Sequence, residues 1–301
     1  MDRPSCEGVM EPDSRFVQAN GIKLHYLEWA GAGPALVLLH GGFRSCHCWE
    51  VFAAAMGGSF RTLAPDLRGH GDSDKPPRGY RRADYAEDLN AFLDSLGLEH
   101  PVAIGHSWGA LAIMVHTATY PGRLRRAVLI EPGMYRPQDD IGPRQLAQAQ
   151  RARQVWPSRA AMLEALPRSQ QFQGWRPDIL GRLVEVVTEE RRDGQVQWKW
   201  SRQAIMQTRL ENRTFDPWPY LPKVGCPTAV VWGDKSFSSA ARWQRVAEAI
   251  PKAELISIEG ASHNIPVEKP ELLAEKLRPF LGNIERGGLA GANEDSSQKR
   301  P

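Results

Sequence analysis

Residues 102–111 read VAIGHSWGAL, an apolar run followed by the pattern Gly-x-Ser-x-Gly and then by the start of a helical stretch that extends to residue 119. A serine between a strand and a helix in this pattern typically sits on a tight, strained turn that raises its hydroxyl above the edge of a sheet. The stretch therefore predicts Ser107 as a nucleophile. The alternative is a glycine-rich turn with an incidental serine.

Short apolar runs alternate with helical patterns on both sides of this turn. Residues 35–39 (ALVLL) have no polar alternation, which suits a central strand covered by helices on both faces. Parallel neighbours need crossover connections, and helices supply them, so we predict an α/β fold with a mostly parallel sheet. The predicted strands are residues 22–29, 35–39, 61–64, 102–104, 127–130, 228–232 and 254–258, and the predicted helices are residues 48–56, 85–96, 109–119, 240–250 and 271–281.

The alternation stops in the middle of the chain. Residues 133–222 are rich in Trp, Arg and scattered Pro and show no convincing buried strand, so we predict an inserted helical cap there. The core is then residues 16–132 and 223–284. Residues 1–15 are predicted to be a flexible leader, and the glycine-rich, polar residues 285–301 a disordered tail.

Composition narrows the class of partner. Lys and Arg total 38 and Asp and Glu 35, and a net charge of +3 is too small to indicate nucleic acid or an anionic membrane. The N-terminus has no apolar run of signal-peptide or transmembrane length, which favours a cytoplasmic location. The four cysteines are too few and too irregularly spaced for a disulfide framework or a zinc site. We expect a small-molecule substrate and no metal or organic cofactor, with a homodimer as one possible assembly.

Two further segments supply what a serine nucleophile needs. Near the end of the chain, Gly-Ala-Ser-His263 follows the last predicted strand, and His263 is the candidate general base. Stabilising a tetrahedral oxyanion needs two backbone donors. Trp108, directly after the nucleophile, is one candidate, and Gly42, in the turn after residues 35–39, is the other, with Phe43 as an alternative.

Taken together, these motifs resemble the α/β-hydrolase superfamily over residues 15–281. The matching segments stand in the family's order and are LLHGG (38–42), DLRGHGDS (66–73), GHSWG (105–109), VLIE (128–131) and GASH (260–263). The resemblance implies the α/β-hydrolase fold and a triad hydrolase that needs no cofactor. A serine at position 107 also distinguishes the chain from haloalkane dehalogenases and epoxide hydrolases, whose family members carry an aspartate there.

The acid of the triad is where the sequence departs from the commonest family pattern. The position that usually holds it, after the strand that follows the cap, is Ser236. Two carboxylates remain. Asp234 lies two residues earlier, and Glu131 ends the strand after the nucleophile helix, a position that resembles the alternative acid of haloalkane dehalogenases and some lactonases. We favour Glu131 and keep Asp234 as the alternative.

Aromatic residues suggest the kind of substrate. Five of the ten tryptophans fall in the predicted cap, and a lid with aromatic surface would suit a bulky hydrophobic or aromatic substrate. The predicted substrate contacts are Phe43, Trp175, Trp198 and Trp218. The sequence thus favours hydrolysis of a carboxylic ester or lactone through an acyl-enzyme. Carbon-carbon bond hydrolysis of a vinylogous diketone and non-catalytic small-molecule sensing are the alternatives.

Overall fold

The computed structural model describes residues 11–137, 141–169, 172, 174–211 and 214–282. The predicted tail and most of the predicted leader lie outside these residues. A central sheet of eight strands has the order β1-β2-β4-β3-β5-β6-β10-β11. Its strands are β1 (Asp13–Ala19), β2 (Ile22–Trp29), β3 (Ala35–Leu39), β4 (Arg61–Pro65), β5 (Val102–His106), β6 (Arg126–Ile130), β10 (Thr228–Gly233) and β11 (Ala253–Ile258).

Helices flank this sheet and alternate with its strands along the chain. The helices of the core are α1 (Glu50–Met56), α2 (Arg82–Ser95), α3 (Trp108–Thr119), α8 (Ala240–Glu248), α9 (Ile265–Glu268) and α10 (Pro270–Gly282). Helix α1 packs on α10, and α2 packs on α3. In the part of the central sheet with the order β4-β3-β5-β6-β10-β11, all neighbouring strands are parallel, whereas β2 is antiparallel to both β1 and β4. The predicted α/β fold with a mostly parallel sheet is confirmed.

Strand β1 corrects the predicted end of the leader. It begins at Asp13 and pairs with β2 from Asp13 opposite Glu28 to Ala19 opposite Ile22. The strand lies at the edge of the sheet, and most of its side chains are exposed. An edge strand that buries so little carries no apolar alternation, which is why composition alone suggested a leader up to residue 15.

The segment between β6 and β10 contains both helices and a small sheet. Its helices are α4 (Ile141–Arg151), α5 (Arg159–Ala165), α6 (Pro177–Val186) and α7 (Arg202–Glu211). The sequence showed no convincing buried strand here, but the predicted helical cap also contains β7 (Val155–Trp156), β8 (Thr188–Glu190) and β9 (Val196–Trp198), which form an antiparallel sheet in the order β7-β9-β8. Strands of two or three residues are too short to show a period in the sequence.

None of the helices in the described part of the chain combines the length and the apolar character that crossing a bilayer requires.

Close backbone packing fixes the turn between β5 and α3. A Cβ atom on Gly109 would lie 2.4 Å from the carbonyl oxygen of Leu39, in the neighbouring strand β3. A Cβ atom on Gly105 would lie 2.5 Å from the backbone of Gly109 itself. Backbone atoms cannot swing aside as a side chain can, so helix α3 approaches the sheet this closely only because both residues are glycine.

We therefore expect Gly109→Ala to lower the free energy of unfolding by about 1–3 kcal/mol, the usual cost of overpacking. The matched control is Gly181→Ala in helix α6, where an added Cβ meets no atom within 4 Å. That change should be neutral or stabilising by up to about 1 kcal/mol, because alanine favours helix. Urea unfolding of both variants measures the difference, and equal losses would contradict the packing argument.

Candidate active site

Ser107 lies at the junction of β5 and α3 in a backbone conformation that serine rarely adopts. Its φ is +52°, and its N–H donates to the carbonyl of Ile130 at 2.9 Å, which ties the turn to strand β6. Positive φ costs free energy in a residue with a Cβ and persists only where the surroundings impose it. The turn places Ser107 in the lining of a cavity of about 910 Å³.

His263 lines the same cavity, on the loop between β11 and α9. Its ring contacts those of His106 and Phe237, with ring centroids 4.9 Å and 5.3 Å away. His106 Nε2 lies 2.7 Å from the backbone carbonyl oxygen of His263 and donates to it. Burial, with a smaller contribution from the nearby His263, lowers the pKa of His106 well below its usual value. A neutral His106 thus supports the loop without competing for protons.

Glu131 connects three strand ends beneath His263. It follows β6 directly, is 1% exposed and has a φ of +46°. Its Oε1 accepts from the N–H of Gly233 at 2.9 Å, and its Oε2 accepts from the hydroxyl of Ser236 at 2.8 Å. The same Oε2 lies 3.3 Å from His263 Nδ1. The imidazole is therefore oriented by a carboxylate that is itself fixed by two other donors.

Asp234, the alternative acid, points elsewhere. It is exposed, and its Oδ1 accepts from the N–H of Gly260 at 2.7 Å, so it braces the loop after β11. The structure brings Glu131, and not Asp234, to the imidazole. Ser236 stands where the commonest pattern has its acid, and it contributes by donating to Glu131.

The hydroxyl of Ser107 and the ring of His263 share the cavity without a hydrogen bond between them in the described residues. Catalytic hydrogen bonds are often long or unformed in the free enzyme and tighten when substrate binds. The remaining Nε2 of His263 is the atom that would face the nucleophile, because Nδ1 faces Glu131. The arrangement can perform base-assisted attack by an alcohol on an electrophilic carbon.

The predicted oxyanion donors border the nucleophile. Trp108 is the first residue of α3, and the first N–H groups of a helix have no intrahelical acceptor. Gly42 and Phe43 also line the cavity, and Phe43 has a φ of +64°. The assignment of Gly42 and Trp108 as donors stays a prediction.

The predicted substrate contacts divide among different places. Phe43 and Trp175 line the cavity that contains Ser107. Trp198 instead lines a second cavity of about 620 Å³, which shares Phe43 with the first. Trp218 is in the lining of neither cavity, and its ring packs against Arg136. Trp198 and Trp218 are accordingly not brought to the nucleophile.

One group of possible metal ligands lies outside the cavity lining. His25, Cys46 and Asp66 are buried together. Asp66 accepts from His25 Nδ1 at 2.7 Å and from the N–H of Cys46 at 2.8 Å. Burial alone would raise the pKa of Asp66, but these bonds and the nearby imidazoles hold it well below its usual range. The carboxylate is committed to bracing the fold, so we assign it no metal.

Several residues around the site were not anticipated from the sequence, above all the arginines of the cavity wall. Arg44 follows the Gly-Gly turn, and Arg209 lies on α7. A single arginine in a helix or loop gives no local sign that its side chain turns inward. The sequence singled out Ser236 only because it occupies the position where the commonest family pattern has an acid.

The triad geometry predicts the effect of removing each carboxylate. Glu131→Gln should slow reaction of Ser107 with a fluorophosphonate by about three orders of magnitude, because an amide neither fixes the tautomer nor stabilises the imidazolium. Asp234→Asn, the matched control, should change the rate by no more than about threefold, consistent with loss of a loop contact only. Intact-protein mass spectrometry follows the labelling. A larger loss of labelling rate in Asp234→Asn than in Glu131→Gln would refute Glu131 as the acid of the triad.

Several known proteins resemble this chain in sequence and in fold. The model of the alpha/beta hydrolase family matches residues 36–276. The 2-(acetamidomethylene)succinate hydrolase of Mesorhizobium japonicum is 28% identical over 272 residues, which cover 89% of this chain and 95% of that protein. The soluble epoxide hydrolase of Corynebacterium sp. is 26% identical over 290 residues, covering 88% and 96%.

The crystal structure of an E-2-(acetamidomethylene)succinate hydrolase superimposes with a TM-score of 0.83 at 27% identity and covers 90% of this chain and 99% of that one. The matched family model spans most of the chain and includes Ser107, Glu131 and His263. The chain belongs to the alpha/beta hydrolase family.

Proposed function

We propose that this protein is a serine hydrolase that cleaves a carboxylic ester or lactone through an acyl-enzyme. The observation that carries the proposal is the placement of Ser107, on its strained turn, in one cavity with His263, whose Nδ1 faces the buried carboxylate of Glu131. A nucleophile, a base and a group that orients the base are what acyl transfer requires.

The reaction would run in two halves. Ser107 Oγ attacks the carbonyl carbon while His263 Nε2 takes its proton, and the N–H groups of Trp108 and Gly42 stabilise the oxyanion. Collapse breaks the bond to the leaving alkoxide, which receives the proton from His263. Water then attacks the acyl-enzyme, again with His263 as base, and the acid leaves as Ser107 is regenerated. Throughout, Glu131 stabilises the imidazolium.

The identity of residue 107 bears on the choice between ester and epoxide chemistry. Several of the relatives are epoxide hydrolases. In enzymes of that kind the family pattern places an aspartate at the nucleophile, which forms an alkyl-enzyme ester that water can hydrolyse. A serine would instead form an ether with an opened epoxide, and an ether resists hydrolysis. Ser107 therefore favours an acyl substrate.

The cavity supports a substrate with a sizeable planar or apolar body. Its volume of about 910 Å³ is at the upper end of the range typical of small-molecule sites. Phe43, Trp108 and Trp175 form an aromatic part of its wall. Flat rings of this kind favour stacked or edge-on contacts with an aromatic or alicyclic group.

The proposal predicts that turnover depends on one hydroxyl. Wild type should hydrolyse members of a panel of 4-nitrophenyl esters and aryl-fused lactones, and Ser107→Ala should lose at least about three orders of magnitude in kcat. The matched control, Ser95→Ala, removes an exposed hydroxyl that donates to the carbonyl of Gln18 and should leave kcat unchanged. Product absorbance and acid-quenched intact mass report turnover and the acyl-enzyme.

Two outcomes would overturn the proposal. Equal turnover by wild type and Ser107→Ala would exclude the serine as nucleophile. Silence of wild type across the whole panel, with stoichiometric binding of a panel member, would exclude ester hydrolysis and favour a ligand sensor.

A further inference from the structure

The cavity around Ser107 is strongly cationic for a site with aromatic walls. Among its described lining residues only Glu131 and Glu268 are acidic. Those with cationic side chains are Arg44, Arg82, Arg176, Arg209, Lys235, Arg242 and Lys269. Some of these positive charges are neutralised by acidic groups of the protein, and others are not.

Arg44 is buried, and none of the described carboxylates is hydrogen-bonded to it. Its side chain is 7% exposed, its Nη2 donates to Asn264 Oδ1 at 2.6 Å, and its guanidinium carbon lies 3.9 Å from the centre of the Trp175 ring. Its Nη1 is shielded from solvent and has no hydrogen-bond partner within the described residues. The guanidinium thus keeps one donor group unused, next to the residue that follows His263.

Arg209 is the second cation of this kind: it is half-buried, lines the same cavity, and forms no ion pair with a described carboxylate. Its guanidinium carbon lies 5.4 Å from the ring of Trp108 and 5.7 Å from the ring of Phe43. Its Nε is shielded from solvent and lacks a partner in the part of the chain that the structure describes. The carboxylate of Glu211 is engaged by Arg82, through the backbone N–H at 2.9 Å and Nη1 at 3.2 Å. Arg82 therefore places a further positive charge near Arg209. It also binds the carboxylate of Glu211, which is then not available to neutralise Arg209.

Both guanidiniums nevertheless remain charged at neutral pH. Burial lowers the pKa of Arg44 and that of Arg209 to about 10 in each case, which is still far above 7. Glu268 lies near enough to Arg44 to raise its pKa, but its oxygens accept from the N–H and the hydroxyl of Ser262. A desolvated charge to which no carboxylate is bound is unfavourable, and such charges are common where a ligand supplies the opposite charge. A guanidinium presents its donors in a fork that matches the two oxygens of a carboxylate.

We propose that the substrate of this hydrolase carries a carboxylate in addition to the bond that is cleaved, and that Arg209 and Arg44 bind it and set this specificity. The inference relies on the proposed function for the kind of bond that is cleaved. The binding of the anion does not depend on the proposed function. Aromatic surface beside each guanidinium excludes water, which strengthens the ion pair.

Kinetics on two esters of matched length tests the specificity. 4-Nitrophenyl hydrogen glutarate differs from 4-nitrophenyl pentanoate by a carboxylate in place of the terminal methyl. Wild type should prefer the charged ester in kcat/KM, and Arg209→Met and Arg44→Met should each reduce that preference by about tenfold or more, mainly through KM. Arg245→Met is the matched control, because Arg245 is exposed and outside the cavity. An unchanged preference in both cavity variants would overturn the inference.

Binding separates this inference from the proposed function. Glutarate should bind to Ser107→Ala in calorimetry, and adding Arg209→Met should weaken its Kd by about tenfold or more. Anion binding without turnover of either ester would refute ester hydrolysis and leave the anion site standing. Hydrolysis without glutarate binding or charge preference would refute the anion site alone. Tighter binding of inorganic phosphate than of glutarate would overturn the carboxylate assignment.

Thermal unfolding distinguishes a ligand-binding arginine from a structural one. Without ligand, Arg209→Met should unfold at the same temperature as wild type or higher, because it removes an unpaired charge from a shielded position. Glutarate should raise the Tm of wild type and not that of the variant. A variant that unfolds at lower temperature and still gains stability from glutarate would contradict the inference.

Discussion

The carboxylate of Glu131 is the interaction on which the rest of the site depends. One oxygen accepts from the backbone of Gly233, and the other faces Ser236 and His263. These partners belong to the end of β10, the loop after it and the loop after β11, while Glu131 itself directly follows β6. A single buried charge thus fixes three strand ends relative to one another. Its donors offset the cost of burying it and leave one oxygen directed at the imidazole.

Strain at the neighbouring strand ends serves the same geometry. Ser107, Glu131 and Phe43 all have positive φ, and they lie where β5, β6 and β3 leave the sheet. The first of these residues lies where α3 packs closely against β3, an approach that Gly105 and Gly109 permit because neither has a Cβ. These three residues line the cavity that contains Ser107, as expected where a fold stabilises a reactive arrangement at local cost.

The sequence predicted those parts of the site that local patterns encode. The turn at Ser107 and the loop at His263 are short motifs beside strands, and the central strands are long apolar runs. The preference for Glu131 over Asp234 came from resemblance alone, because their distances to His263 depend on tertiary structure. Strands β7 to β9 are too short to show a period, and the inward direction of Arg209 depends on how α7 packs. Aromatic composition could not tell Trp175, which lines the cavity, from Trp218, which does not.

The most direct test of this account is the proton bound to His263 Nδ1. A proton shared between an imidazole and a carboxylate resonates far downfield of ordinary amides in a proton NMR spectrum, and wild type should show such a signal as His263 is protonated. If Glu131 orients the imidazole, the signal is lost in His263→Ala and Glu131→Gln and retained in Asp234→Asn. A signal that survives Glu131→Gln and disappears in Asp234→Asn would contradict the central role of Glu131.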